Sequence, residues 1–163
     1  MTSIPSHQHA AMRRKDRELT DRAEIDAIIN QANVLHLALA EEDQPFVVPV
    51  FYAYDGEFLY FHSAKAGRKI EMLKRNPKVC FCISIDHGII ESDEPCDFEA
   101  KHRTVIGFGT ASFVEEEAEK IAALDRIVAR FTATNFTYPK ANLKATAVLR
   151  IRIENLTGKK HGF

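Results

Sequence analysis

Apolar residues recur at every second position in several short stretches, a period that fits strands with one face on a core and no helix. Val34 to Ala40 places Leu35, Leu37 and Leu39 on one face and His36 on the other. Lys78 to Asp86 does the same with Val79, Phe81, Ile83 and Ile85, and Ala145 to Glu154 with Ala147, Leu149, Ile151 and Ile153 opposite Arg150 and Arg152. Phe46 to Tyr54, Glu57 to Phe61 and Thr104 to Phe113 complete a set of six strands. The fold class expected is mainly β with helices (α+β), a mostly antiparallel barrel or sandwich with helical covers.

Two strands carry residues with positional meaning. Pro49 cannot donate to a ladder, so its strand lies at an edge or is bulged there; a bulge beside a ligand would expose backbone groups, whereas a plain edge would not. Gly107 and Gly109 share a face and allow a backbone or a flat ring to approach closely.

Helices are expected from about Asp21 to Asn33, opened by Asp21 and Glu24 as a capping box, and from Glu115 to Phe131, with Ile121, Leu124, Val128 and Phe131 as the buried stripe. His87 to Arg103 reads as an irregular acidic loop, a lid, dimer contact or solvated excursion, and Thr132 to Lys144 as another loop. Residues 1–11, with His7 and His9, read as a flexible tail before a single domain over 12–163.

At 163 residues with 22 basic and 23 acidic side chains, the chain has a near-neutral balance that gives no reason to expect nucleic acid or an anionic membrane as partner. No apolar run reaches membrane-spanning length and the first residues carry no signal-peptide core, so a cytoplasmic protein is expected. Cys80 and Cys82 share one strand face as small buried hydrophobes, Cys96 stands apart, and no metal site is expected.

The most informative stretch is Tyr60-Phe61-His62-Ser63-Ala64-Lys65-Ala66-Gly67-Arg68-Lys69, a strand end, a tight loop and the start of a helix that stops at Asn76-Pro77. Free N–H groups and the positive dipole end suit an anion there. Ser63 adds a hydroxyl, and Lys65, Arg68 and Lys69 add three cations that the dipole itself disfavours. Either the cluster is merely solvated or an anion offsets that cost.

The ordered set Met12-Arg13-Arg14-Lys15, Val48-Pro49-Val50, Tyr60 to Ala64, Gly67-Arg68-Lys69, Asn76 to Phe81, Arg103 to Gly109 and Leu156-Thr157-Gly158-Lys159 resembles the flavin-binding split-barrel proteins related to pyridoxamine 5'-phosphate oxidase. The similarity is greatest to the nitroimidazole-resistance branch. It implies an antiparallel six-stranded split β-barrel of the FMN-binding type and a homodimer with flavin mononucleotide (FMN) at the interface. The FMN phosphate would meet Ser63, Lys65, Arg68 and Lys69, and its ring the strands bearing Val48, Pro49, Val50, Tyr60, Phe61 and His62. Thr104 resembles the segment that closes the pocket, from the partner chain in one arrangement.

His62 is the ionisable residue leading into the loop and the candidate for proton delivery, or only a hydrogen-bond partner of the cofactor. The resemblance points to an oxidoreductase reducing small electron-poor acceptors with electrons from an external reductant. The alternatives are a non-catalytic module carrying flavin, haem or deazaflavin, with His36, His62 and His102 leaving haem open, and a pyridoxamine phosphate oxidase. Gly158-Lys159-Lys160-His161 does not match the Arg-x-His element of the true oxidases.

Overall fold

The computed structural model describes residues 12–163; the expected tail over 1–11 lies outside the described residues. Its strands are β1 (Glu18–Leu19), β2 (Val34–Glu41), β3 (Gln44–Phe51), β4 (Ala53–Tyr54), β5 (Phe58–Ala64), β6 (Lys78–Ile90), β7 (Glu99–Val114) and β8 (Thr146–His161). All pair antiparallel in the order β3-β2-β6-β7-β8-β5-β4, with β1 on β8. The six expected strands fall on the six long ones; the expected strand Phe46 to Tyr54 is broken at Tyr52 into β3 and β4, and β1 adds two residues. The sheet curls until β3 lies beside β5, but no ladder joins them. That unpaired seam is what makes the barrel split.

Inward residues of the long strands, among them Leu35, Leu37, Phe61, Phe81, Ile83, Leu149 and Ile151, are wholly buried in one core. Helix α1 (Arg22–Gln31) adds Ile25, Ile28 and Ile29 to it, and α2 (Arg68–Arg75) adds Ile70, Met72 and Leu73. Helix α3 (Glu117–Ala129) and α4 (Lys140–Ala145) instead cover the outer face of the sheet, where Ala123, Leu124 and Leu143 pack on Val114 and Val148.

Asp21 caps α1 by accepting from the Ala23 N–H at 2.9 Å, while Glu24 pairs with Lys160 at 3.1 Å instead of closing a box. The other end of α1 is tied to the barrel. The buried Tyr52 hydroxyl donates to the Ile29 carbonyl at 2.6 Å and lies 3.0 Å from that of Ala32, and the Arg130 guanidinium stacks on its ring while donating to Asn30 and Ala32 carbonyls. Burial pushes the Tyr52 pKa up to about 12, against the pull of Arg130.

The structure corrects four expectations. The stretch 87–103 is largely strand: β6 and β7 continue past a bulge where Gly88, at φ +96°, donates to Asp86 Oδ1 at 2.8 Å, leaving only residues 91–98 as the tip. Beyond the bulge Ile89 is 69% exposed, so little burial alternation marked those residues as strand. The buried face of α3 is Lys120, Ala123, Leu124 and Ile127, because Ala123 lets the helix settle close to the sheet; Phe131 lies beyond the helix end, exposed, edge-on to Phe51. Residues 140–144, expected as loop, form α4 together with Ala145, which was expected to open the final strand. Cys80 and Cys82 share a face as expected, but it is the outer one, where they are half-buried, since Val79, Phe81 and Ile83 take the core side.

Pro49 sits on β3, the open end of the sheet, in unbroken register opposite His36: the plain edge, not a bulge. The two glycines behave as expected. A Cβ on Gly107 would fall 2.1 Å from the Phe81 ring, and one on Gly109 would fall 2.2 Å from the Arg152 carbonyl oxygen, at a register shift between β7 and β8. Gly107→Ala is therefore expected to lose about 1–3 kcal/mol through overpacking. A lowered urea midpoint checks it; an unchanged midpoint would mean that the ring does not pack there.

Candidate functional site

The start of α2 is shaped by Gly67, whose φ +115° and ψ +165° belong to a region open essentially to glycine alone. Ile70 and Glu71 donate to the Gly67 carbonyl at 3.0 and 3.1 Å, so the Arg68 and Lys69 amides precede the first intrahelical bond. Gly67 has no side chain with which to cap them, and no other side chain among the described residues does so.

Aromatic rings hold the two cations of that turn. The Arg68 guanidinium lies 4.8 Å from the centroid of Phe46 on β3, and the Lys69 ammonium 5.6 Å from that of Phe61 on β5. Arg68 thereby leans toward the seam between β3 and β5. Burial draws the Lys69 pKa below its ordinary value. His62 lies open on the outer side of β5, yet enough protein surrounds it that burial first, and the Lys69 charge second, hold its pKa below that of free imidazole. Ser63, half-buried, follows it.

Other expected site residues are placed differently. Phe61 is wholly buried, so only its backbone faces outward from the core. Tyr60 donates to Asp55 at 2.8 Å beneath Arg126 of α3. On β3, Val48 and Val50 point inward and Pro49 outward at the free edge. Lys65 lines a cavity with Lys74 and Lys120. Lys120 was missed, although its spacing with Ala123, Leu124 and Ile127 places a lysine on the buried face of α3.

Thr104 is not brought to this loop within one chain. His62 pairs with Val148, and Val148 with Val114, which fixes the level of the loop on β7. Thr104 lies about ten residues along β7, roughly 30 Å of strand away, bonded to Ser84 and His102. His102 is farther still, so His62 and His102 do not converge in one chain.

Among the described residues, no helix packs on the outer face of β3, β2 and β6. Val47, Ala38, Cys80 and Phe108 form one cross-strand row, and Pro49, His36, Cys82 and Ile106 the next. Val47 is 61% exposed and Ile106 41%; an apolar sheet face of this extent marks an interaction surface.

The sequence profile described as pyridoxamine 5'-phosphate oxidase matches residues 21–160. This chain belongs to that family. It is 31% identical to a candidate 5-nitroimidazole antibiotic resistance protein of Bacteroides thetaiotaomicron, with a TM-score of 0.78 over 87% of this chain and 85% of that one. In fold it is also similar to a flavocytochrome of Azotobacter vinelandii (TM-score 0.86, 23% identity, 98% and 76% of the two chains). A FAD- and haem-binding protein of Mycobacterium smegmatis gives 0.82 at 20% identity over 90% and 75%. A curated but uncharacterised protein of Rhizobium meliloti is 36% identical over 63 residues, 39% of this chain and 41% of its own length. The family and the fold agree with the antiparallel split-barrel class, and several of its structural neighbours bind flavins. No helix among the described residues is long and apolar enough to cross a membrane.

Gly67→Ala separates strain from crowding, because a Cβ there would meet nothing within 4 Å. The backbone conformation alone is expected to cost about 1–3 kcal/mol, read as a lower urea midpoint. Full stability in the variant would mean that the loop does not need this conformation.

Proposed function

We propose that this protein is an FMN-dependent oxidoreductase that reduces small electron-poor acceptors, nitroimidazole or nitroaromatic in type, with electrons from a transiently docked reductant. The observation that carries the reading is the uncapped start of α2 beside Ser63, Arg68 and Lys69, a fit to a phosphate dianion. When bound, the flavin would supply the redox chemistry.

The chain's own residues have the following parts. The Arg68 and Lys69 amides and side chains, with the Ser63 hydroxyl, hold the phosphate; stacking on Phe46 and Phe61 fixes both cations beforehand, which reduces the ordering cost of binding. Val48, Pro49 and Val50 at the β3 edge, with the β5 segment Tyr60-Phe61-His62, form the wall for the ring. Thr104 closes the pocket from a second chain, the two chains meeting through the open apolar sheet face as a homodimer. That arrangement gives a use to a residue about 30 Å away in its own chain.

His62 would deliver a proton near the acceptor. With a pKa below that of free imidazole it is mostly neutral at pH 7, so its acid form gains population as the pH falls.

Purified protein is expected to show a two-band flavin spectrum and to release FMN on denaturation. Arg68→Ala is expected to weaken FMN binding by roughly 10- to 100-fold, the equivalent of one charge-assisted hydrogen bond. Colourless protein that takes up no added FMN would overturn the reading. Stoichiometric flavin without turnover with any reductant and acceptor would point to a carrier.

For His62, turnover is expected to fall as the pH rises through a pKa held below that of free imidazole by burial and the Lys69 charge. That limb should disappear in His62→Asn with flavin content unchanged; if the profile is the same in both proteins, His62 delivers no proton.

A further inference from the structure

A second basic feature lies at the end of the barrel between α2 and α3. A cavity of about 170 Å³ is lined by Lys65 from the loop, Ile70 and Lys74 from α2, Phe113 and Val114 from the end of β7, Glu115, Lys120 from α3, and Ala147 and Val148 from β8.

Lys120 is the unusual member. It is only 9% exposed and has no hydrogen-bond or ion-pair partner among the described residues. Its backbone N–H donates to the Glu116 carbonyl in the first turn of α3, so the side chain stands at the helix end whose dipole disfavours positive charge. Its stem is packed while the ammonium keeps access to solvent, an unpaired cation at a helix end that disfavours it.

The other charges around it are accounted for. Lys65 likewise has no partner among the described residues, and Lys74 bonds only to the exposed Glu71 at 3.1 Å. Among the glutamates at the start of α3, Glu116 caps the Ala118 N–H and Glu119 reaches Arg150 at 3.7 Å; only Glu115 lines the cavity. With Lys74 paired to Glu71, the unpaired Lys65 and Lys120 against Glu115 leave the cavity net positive, with Ile70, Phe113, Val114, Ala147 and Val148 as an apolar wall.

We propose that this cavity is an anion site, distinct from the uncapped start of α2, that takes the phosphate group of a small molecule, with Lys65, Lys74 and Lys120 as its cations. The charge suits a dianion, and the apolar wall accommodates the carbon part of a phosphate ester. Lys65 is the residue through which this cavity adjoins the loop. Because Lys65 is two residues from Gly67, occupancy would order the loop that presents the Arg68 and Lys69 amides.

The test is calorimetric titration of inorganic phosphate into flavin-loaded protein, in which the flavin loop is already filled. One phosphate per chain is expected. Lys120→Met, which keeps the packed stem, should weaken its binding at least tenfold with flavin content unchanged; Lys74→Met serves if the first variant does not fold. Arg68→Ala, depleted of flavin, should still bind phosphate through the cavity even if the flavin reading fails. Absence of phosphate uptake, uptake undiminished in both lysine variants, or loss of flavin in Lys120→Met would overturn the proposal.

Discussion

The backbone ladder of β8 is the constraint on which the rest of the molecule depends. Its sixteen residues pair along almost their whole length with β7; the first part also pairs with β5 and the last part with β1. Every buried N–H and C=O in a barrel wall needs a partner, and β8 supplies them to three neighbours at once. By fixing Ala64 opposite Thr146, it sets where β5 stops and therefore where the loop into α2 begins.

From that point the site follows from local chemistry. The chain must turn from an outer strand into a helix whose Ile70, Met72 and Leu73 join the core, and Gly67 makes the turn in a conformation other residues resist. One consequence is that the first amides of α2 stay uncapped. The same placement puts Arg68 and Lys69 over rings of two different strands, so the cations span the unpaired seam of the barrel.

Where burial was one-sided, the sequence was legible. Leu35, Leu37 and Leu39, or Val79, Phe81 and Ile83, announced their strands because one face meets the core, and the strand–loop–helix segment was readable from the strand end at Tyr60-Phe61, the basic loop and the stop at Asn76-Pro77. The distal hairpin was not, since both faces beyond Gly88 meet solvent and its pairing rests on backbone bonds and on clasps such as Arg17 to Glu99. Nor was the face of α3, where small Ala123 outranks the larger Val128 and Phe131 because the helix sits close to the sheet. Single-chain geometry also separates Thr104 from the loop, a distance no spacing in the sequence reveals.

Pro49 has a bearing on colloidal behaviour. A barrel that stays unzipped beside its site keeps an open strand edge, and such edges can recruit strands from other molecules into growing sheets. Proline in the middle of that edge removes one donor from the row an incoming strand would need. The open edge beside the seam thus offers an incoming strand an interrupted row of donors.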